Sequence, residues 1–243
     1  MLERRESMAT TQAMRTLLVQ APLVVGEVEI GDEEAHQGLH VLRLRLGDSI
    51  RLADGAGRCG LGRVMLTSRH SLRVAVEGIE TLEKGPSALL SVACAAPKGD
   101  RFDDLVRTLT ELGVGRILPL SCARSDRIPT HLDRQRRVAG EALKQCRRGH
   151  LPTLGPVVDI RTLAAWPEPL IILDRAGSGV STGEPRAITL VIGPEGGLTE
   201  EEVGVLAAAG AQTMRLAGHV LRIETAAIAA AAVWAAAWEN RSS

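Results

Sequence analysis

Residues 188–203 read ITLVIGPEGGLTEEEV. A largely apolar run, 188–192, meets Gly193-Pro194-Glu195-Gly196-Gly197, and Leu198 leads into Thr199 and three glutamates. A short continuous apolar run bounded by glycine and proline reads as a strand covered on both faces. Thr199, with Glu202 three positions on, has the spacing of a capping box: the hydroxyl accepts from the third helical N–H, and the acid reaches back to the cap. The stretch therefore predicts strand, stiff glycine loop and helix in succession. Pro194 fixes one dihedral in a loop otherwise rich in glycine. The loop is either a tight turn with a cap or a cradle for a ligand, and its own sequence fits both.

Working outward, strands alternate with helices. Residues 89–95, 117–120, 170–173 and 213–216 read as strands. Residues 101–112, 131–148, 199–209 and 226–238 read as helices, the first carrying Leu105, Leu109 and Leu112 on one face and stopped by Gly113. Such alternation predicts a parallel α/β sheet with helices on both faces. The N-terminal third differs. Residues 15–80 alternate apolar and polar, as in Ser49-Ile50-Arg51-Leu52, with turns at Asp54-Gly55 and Gly57 and one short helix at 32–39, and they predict a small β-barrel. Residues 82–87 (LEKGPS) form a linker by composition, and residues 1–13 are polar without period, an extension ahead of Met14.

The totals exclude several classes. The protein has 243 residues, 45% hydrophobic and 24% charged, ordinary for a globular chain of one or two domains. Its longest apolar stretch, 226–238, is too short to span a membrane, and the N-terminus has no signal-peptide core, so a cytoplasmic protein without membrane attachment is expected. Cys59, Cys94, Cys122 and Cys146 form no CxxC pair, so neither a metal site nor a disulfide framework is expected. With no Tyr, one Phe and three Trp, a base-stacking sheet is disfavoured. Net charge is zero, yet residues 98–150 hold 12 Lys/Arg against 7 Asp/Glu. A basic middle in a neutral chain fits a local anionic partner or a set of solvated helix faces.

Ligands of open α/β sheets bind where strands end at their carboxyl side. Three glycine-bearing loops leave such ends: 174–179, 193–197 and 217–222. None matches GxGxxG or GxxxxGK[ST], so a dinucleotide fingerprint and a P-loop are unsupported. The IGPEGG run with its capped helix, followed by a glycine loop ending Leu221-Arg222-Ile223-Glu224-Thr225-Ala226, resembles the SPOUT methyltransferases. More narrowly, the chain resembles the RsmE-type 16S ribosomal RNA uridine-N3 methyltransferases. The likeness runs through His36 with Val41-Leu42-Arg43, Pro97-Lys98-Gly99-Asp100-Arg101, Thr110-Glu111-Leu112-Gly113-Val114, Arg124-Ser125, and Glu141-Ala142 with Gln145, Arg148 and Leu151-Pro152. Gln37, Thr108, Ala123, His219 and Ile223 stand where that pattern usually has other residues.

The resemblance implies a PUA-like β-barrel over 14–82 and a SPOUT α/β domain over 88–243 tied in a deep trefoil knot. It also implies S-adenosylmethionine as methyl donor, 16S rRNA or the assembled small subunit as partner, and a homodimer. Under it, Leu173, Ile192, Leu216 and Leu221 line an apolar slot for the donor, Gly193, Gly196 and Gly218 give close backbone approach, and Pro194 gives rigidity. Glu195 faces the donor's amino-acid or ribose end, or is a solvated loop acid. Arg222 stabilises the uridine anion, or pairs with Glu224. The RNA contacts are Arg43, Lys98, Arg101, Arg124, Arg127, Gln145, Arg147 and Arg148. Arg134, Arg137, Lys144 and Arg148 fall near helical spacing, as a solvated face or a basic stripe. His36 is either part of the RNA-facing element with Arg43 or a satisfied core histidine, and a last helix bearing Trp234 and Trp238 suits packing against a partner copy. The alternative class is an RNA-binding or ribosome-assembly module without catalysis, or a sibling enzyme acting on another RNA.

Overall fold

A computed structural model describes residues 14–242 apart from positions 21 and 69, so the expected extension at 1–13 lies outside the described residues. The chain divides into two units, Met1–Glu83 with Leu143–Leu151, and Lys84–Ala142 with Pro152–Ser243.

The first unit contains β1 (Thr16–Leu18), β2 (Gly26–Ile30), helix α1 (Asp32–His36) continued by a π-helical turn (Gln37–Val41), β3 (Ser49–Ala53), β4 (Arg58–Thr67) and β5 (Leu72–Thr81). Its sheet runs β1-β3-β4-β5-β2, antiparallel except for β1 against β3. Alternation along the strands buries Leu17, Ile50, Leu52, Val64, Leu72 and Val74 in one core. At the β3–β4 turn, Asp54 Oδ1 accepts from Ala56 N at 2.8 Å and Arg58 N at 3.0 Å, and Gly55 takes a left-handed φ of 70°. The expected closed barrel is corrected: among the described residues the edge strands β1 and β2 do not pair. The outward N–H of Leu18 on β1 is spent on Glu34 Oε2 at 2.9 Å, so that edge is capped by a side chain and not by a strand.

The sequence assigns residues 143–151 to the second domain, whereas the structure groups them with the first unit. Gly57 N donates to Gly149 O and Leu151 N to Gly55 O, both at 2.9 Å, while Leu143 and Leu151 pack with Ala53 and Cys59. Lys144 is buried, with Nζ 2.7 Å from Glu34 Oε1, which removes it from any solvated stripe. His36 is exposed and lies against His40 with ring centroids 4.6 Å apart and the rings tilted by 43°, so the core-histidine alternative fails.

The second unit contains β6 (Leu90–Cys94), α2 (Arg101–Glu111), β7 (Arg116–Ser121), α3 (Asp133–Cys146, whose last turn belongs to the first unit), β8 (Thr153–Leu154), β9 (Val158–Asp159), α4 (Ile160–Ala164), β10 (Leu170–Gly179), β11 (Ile188–Ile192), α5 (Glu200–Ala208), β12 (Gln212–Arg215) and α6 (Ile223–Ser242). The strand order is β12-β10-β11-β6-β7-β8, with β9 also on β7, and every pairing is parallel. β6 and β11 are buried at every position, as strands covered on both faces must be, and each carries one buried hydroxyl residue, Ser91 and Thr189. One face packs Leu118, Ile172 and Val191 with Ile160 and Leu163 of α4 and Leu206 of α5. The other carries α6, which packs on β6, β11 and α2.

Two expectations change. The loop at 174–179 is an extension of β10 interrupted by a bulge: Leu173 and Ser178 both register with Met214, and the residues between are thrown out of the ladder. Gly177 is required there, since a Cβ would lie 2.6 Å from the backbone of Met214. Trp234 and Trp238 are fully buried within the chain, and Trp238 Nε1 donates to the carbonyls of Thr182 and Gly183 at 3.2 Å. An alanine-rich helix has few other large groups with which to fill the space beneath it, so both indoles serve its own core and neither is offered to a partner. Trp238→Ala is expected to cost about 3–5 kcal/mol of stability, read as a lowered urea midpoint at unchanged m-value.

Candidate functional site

Because β10, β11 and β12 run parallel, their carboxyl ends emerge on one edge of the sheet. The segments that leave them converge on a single cavity of about 540 Å3. Leu173, Ile192, Gly193, Pro194, Glu195, Gly196, Leu216 and Leu221 all line it. Gly218 and Arg222 do not: Gly218 is exposed with nothing within 4 Å of an added Cβ, and Arg222 is exposed just before α6. Beyond the residues assigned from sequence, the wall also includes Asp174, Arg175, His219, Val220, Ile223 and Ala226. The last two are the inward residues of the first turn of α6, a signal available from helical spacing. Ile223 is 4% exposed, so its departure from the family pattern is absorbed as apolar lining.

The central loop is rigid for stated reasons. Gly197 N donates to Pro194 O at 2.7 Å, closing a tight turn, and Gly197 has a left-handed φ of 70°. A Cβ on Gly193 would approach Leu198 to 3.1 Å, and one on Gly196 would reach Arg124 Cδ at 3.3 Å. The capping box forms: Thr199 N donates to Glu202 Oε2 at 2.8 Å and Glu202 N to Thr199 Oγ1 at 3.2 Å. Glu202 does more than cap. Its Oε1 accepts from Ala123 N at 2.6 Å, tying the segment after β7 to the start of α5.

Charge around the cavity is organised by arginine. Arg101 Nη1 lies 3.4 Å from Glu224 Oε1 and 3.9 Å from Glu195 Oε1, and Arg124 Nη1 donates to Gly196 O at 2.5 Å. Glu224 thus pairs with Arg101 and not with Arg222. Behind Pro194 and Glu195 a small cleft is lined by Lys98, Ser125, Asp126 and Arg127. Lys98 Nζ sits 2.8 Å from Asp126 Oδ2, and that contact raises the lysine's pKa. Below, at the end of β6, burial pushes the Cys94 thiol up to about 12, which keeps it neutral and inert.

Residues 84–235 match the family model described as an RNA methyltransferase domain. The chain is 30% identical over 242 residues to the ribosomal RNA small subunit methyltransferase E of Synechocystis sp., covering 93% of this chain and 78% of that one. The chain belongs to the ribosomal RNA small subunit methyltransferase E family. The ribosomal RNA small subunit methyltransferase E of Mycobacterium bovis is also 30% identical to it, covering 88% of both chains. Among solved structures, the ribosomal RNA small subunit methyltransferase E from Neisseria gonorrhoeae bound to S-adenosyl methionine matches with TM-score 0.81 and 28% identity, over 93% of this chain and 98% of that one. A methyltransferase from Legionella pneumophila in complex with bound SAM matches with TM-score 0.84 and 25% identity, over 93% and 98%.

Within this methyltransferase-family chain the residues expected to meet RNA fall into two sets. In the second unit, Lys98, Arg124 and Arg127 are exposed, while Arg101 is partly buried against its acids. In the first unit, Arg43 and Gln145 are exposed and Arg147 and Arg148 are half-buried. Arg43 and Arg147 hold left-handed φ values of 56° and 59°, uncommon for side-chain-bearing residues. Arg51 Nη2 donates to Arg147 O at 3.3 Å, fixing that turn. The stripe expected on α3 is further reduced, since Arg134 Nη2 bridges Asp100 Oδ1 at 2.7 Å and Asp103 Oδ2 at 2.5 Å. Glu202→Ala is expected to lower stability by about 1–2 kcal/mol. It should also speed hydrogen exchange at the Ala123 amide, while Glu201→Ala changes neither.

Proposed function

We propose that this protein transfers a methyl group from S-adenosylmethionine to N3 of one uridine in 16S ribosomal RNA. The observation that carries the reading is the convergence of three strand-end segments on one cavity of about 540 Å3. The residues fit the donor. Leu173, Ile192, Leu216 and Leu221 offer an apolar slot for an adenine ring, the glycine turn brings backbone within reach of its edge, and Asp174 and Glu195 supply negative charge for a cationic ligand. S-adenosylmethionine supplies an electrophilic methyl on sulfonium. The chain's task is to place uridine N3 in line with it and to let the N3 proton leave.

Arg222, exposed at the cavity's margin ahead of α6, is our candidate for stabilising the negative charge that develops on the uracil as that proton departs. Lys98 and Arg127 of the second unit and Arg43, Gln145, Arg147 and Arg148 of the first would hold the RNA backbone or bases. We read the first unit as a PUA-like RNA-binding domain in open-sheet form. We also infer that the second unit is knotted. From β12 at the sheet edge the chain returns to place α6 on β6 and β11, while Trp238 and Arg241 bond to carbonyls of the β10–β11 connection. A homodimer acting in the cytoplasm on the small subunit or its RNA completes the proposal.

Calorimetry with S-adenosylhomocysteine should show one saturable site per chain, and 16S RNA from a strain lacking the gene should lack one 3-methyluridine. Absence of binding heat would sink the donor assignment, and a retained mark would sink the target. Arg222→Ala is expected to lower kcat about a hundredfold with the cofactor Kd unchanged.

A further inference from the structure

Arg101 and Arg124 lie in the basic middle of the chain, where positive charge invites assignment to RNA. Their surroundings assign them elsewhere. The Arg101 guanidinium stands between Glu224 on the first turn of α6, at 3.4 Å, and Glu195 on the cavity loop, at 3.9 Å, and its Nε donates to Lys98 O at 3.3 Å. Glu224 is largely buried, and its Oε2 is fully enclosed without a hydrogen-bond partner. A carboxylate so placed is costly unless a permanent cation stays beside it, and Arg101 is the cation the structure puts there. On the loop's other side, Arg124 donates to the carbonyl of Gly196 and lays its Cδ where a Cβ on Gly196 would be 3.3 Å away.

We propose that Arg101 and Arg124 are positioning residues for the methyl-donor cavity: they clamp the loop 193–197 from two sides and set where Glu195 faces the ligand, and so contribute to cofactor affinity and not to RNA affinity. The proposal rests on the donor reading above. Its geometry is specific to arginine. One planar fork can face two acids and a carbonyl at once, whereas a lysine ammonium offers a single compact charge.

The test uses the full chain, S-adenosylhomocysteine and a 16S RNA fragment carrying the substrate region. Wild-type binding of S-adenosylhomocysteine comes first; if it is absent, the donor reading has failed and the clamp is overturned with it. Given that binding, Arg101→Met and Arg124→Met should each weaken S-adenosylhomocysteine about fivefold, the upper end for a partly exposed pair. Arg101→Lys should not restore it. In a Glu195→Gln background Arg101→Met should add little, because its effect runs through Glu195. RNA affinity and its salt slope should stay at wild-type values, which a purely electrostatic RNA contact would not allow. The clamp is overturned if Arg101→Met binds S-adenosylhomocysteine like wild type, or if its RNA salt slope falls by about one. It is also overturned if the losses at Arg101 and Glu195 simply add. Circular dichroism melts of each variant separate a failed clamp from a failed fold, and Glu224→Gln, which keeps the shape of the acid, gives the same cofactor readout without truncation.

Discussion

Everything at the site depends on the parallel register of β10 with β11 and β12. Leu170 pairs with Thr189 and Ile171 with both Leu190 and Gln212, all strands pointing one way. Parallel strands place their carboxyl ends on the same edge, so three segments far apart in sequence must leave the sheet as neighbours. The same geometry demands helices on both faces, and so dictates the largely apolar runs of β6 and β11. A one-residue slip of β11 would turn Ile192 away from the cavity and swing the glycine turn with it.

A second constraint is that positive charge in the middle of the chain is mostly spoken for. Arg134 bridges Asp100 and Asp103, Arg116 bonds Glu168 at 2.8 Å while lying 4.8 Å from the Trp166 ring, Lys144 is buried on Glu34, and Lys98 holds Asp126. The excess of Lys/Arg over residues 98–150 therefore overstates the charge free to meet phosphate. Spacing alone ranks α3 as a basic stripe because it counts residues and not partners. The partners come from α1, α2 and loops that only the fold brings near.

What was legible in the sequence was local. Thr199 with Glu202 and the apolar run before them fix a strand, a turn and a capped helix within sixteen residues, and the structure forms the capping box. Eight of the nine residues assigned to the cavity lie on its wall, because a glycine at a strand's carboxyl end carries its meaning in its immediate neighbours. What was not legible depended on distant partners. The bulge in β10 arises from β12, the cap on the β1 edge from Glu34, the fate of Trp238 from carbonyls at 182 and 183, and the second duty of Glu202 from Ala123. The placement of His36 beside His40 was likewise not legible, because it depends on how the short helix and the turn after it sit on the sheet.

The glycines show the same division. Gly197 is needed for its own φ of 70°, a property of the turn, and a type of turn can be guessed from its sequence. Gly177 and Gly196 are needed for what approaches them, Met214 in one case and Arg124 in the other, and nothing in their flanking residues announces it. Gly218 has neither constraint in the free protein. It lies on an exposed stretch, 218–220, of the segment that ends at Arg222. A site that must admit a small donor and then a nucleotide needs one wall that is fixed and one that yields. The loop at 193–197, closed by its own turn and held by Arg124, supplies the fixed wall, and the open glycine at 218 leaves the facing segment room to move.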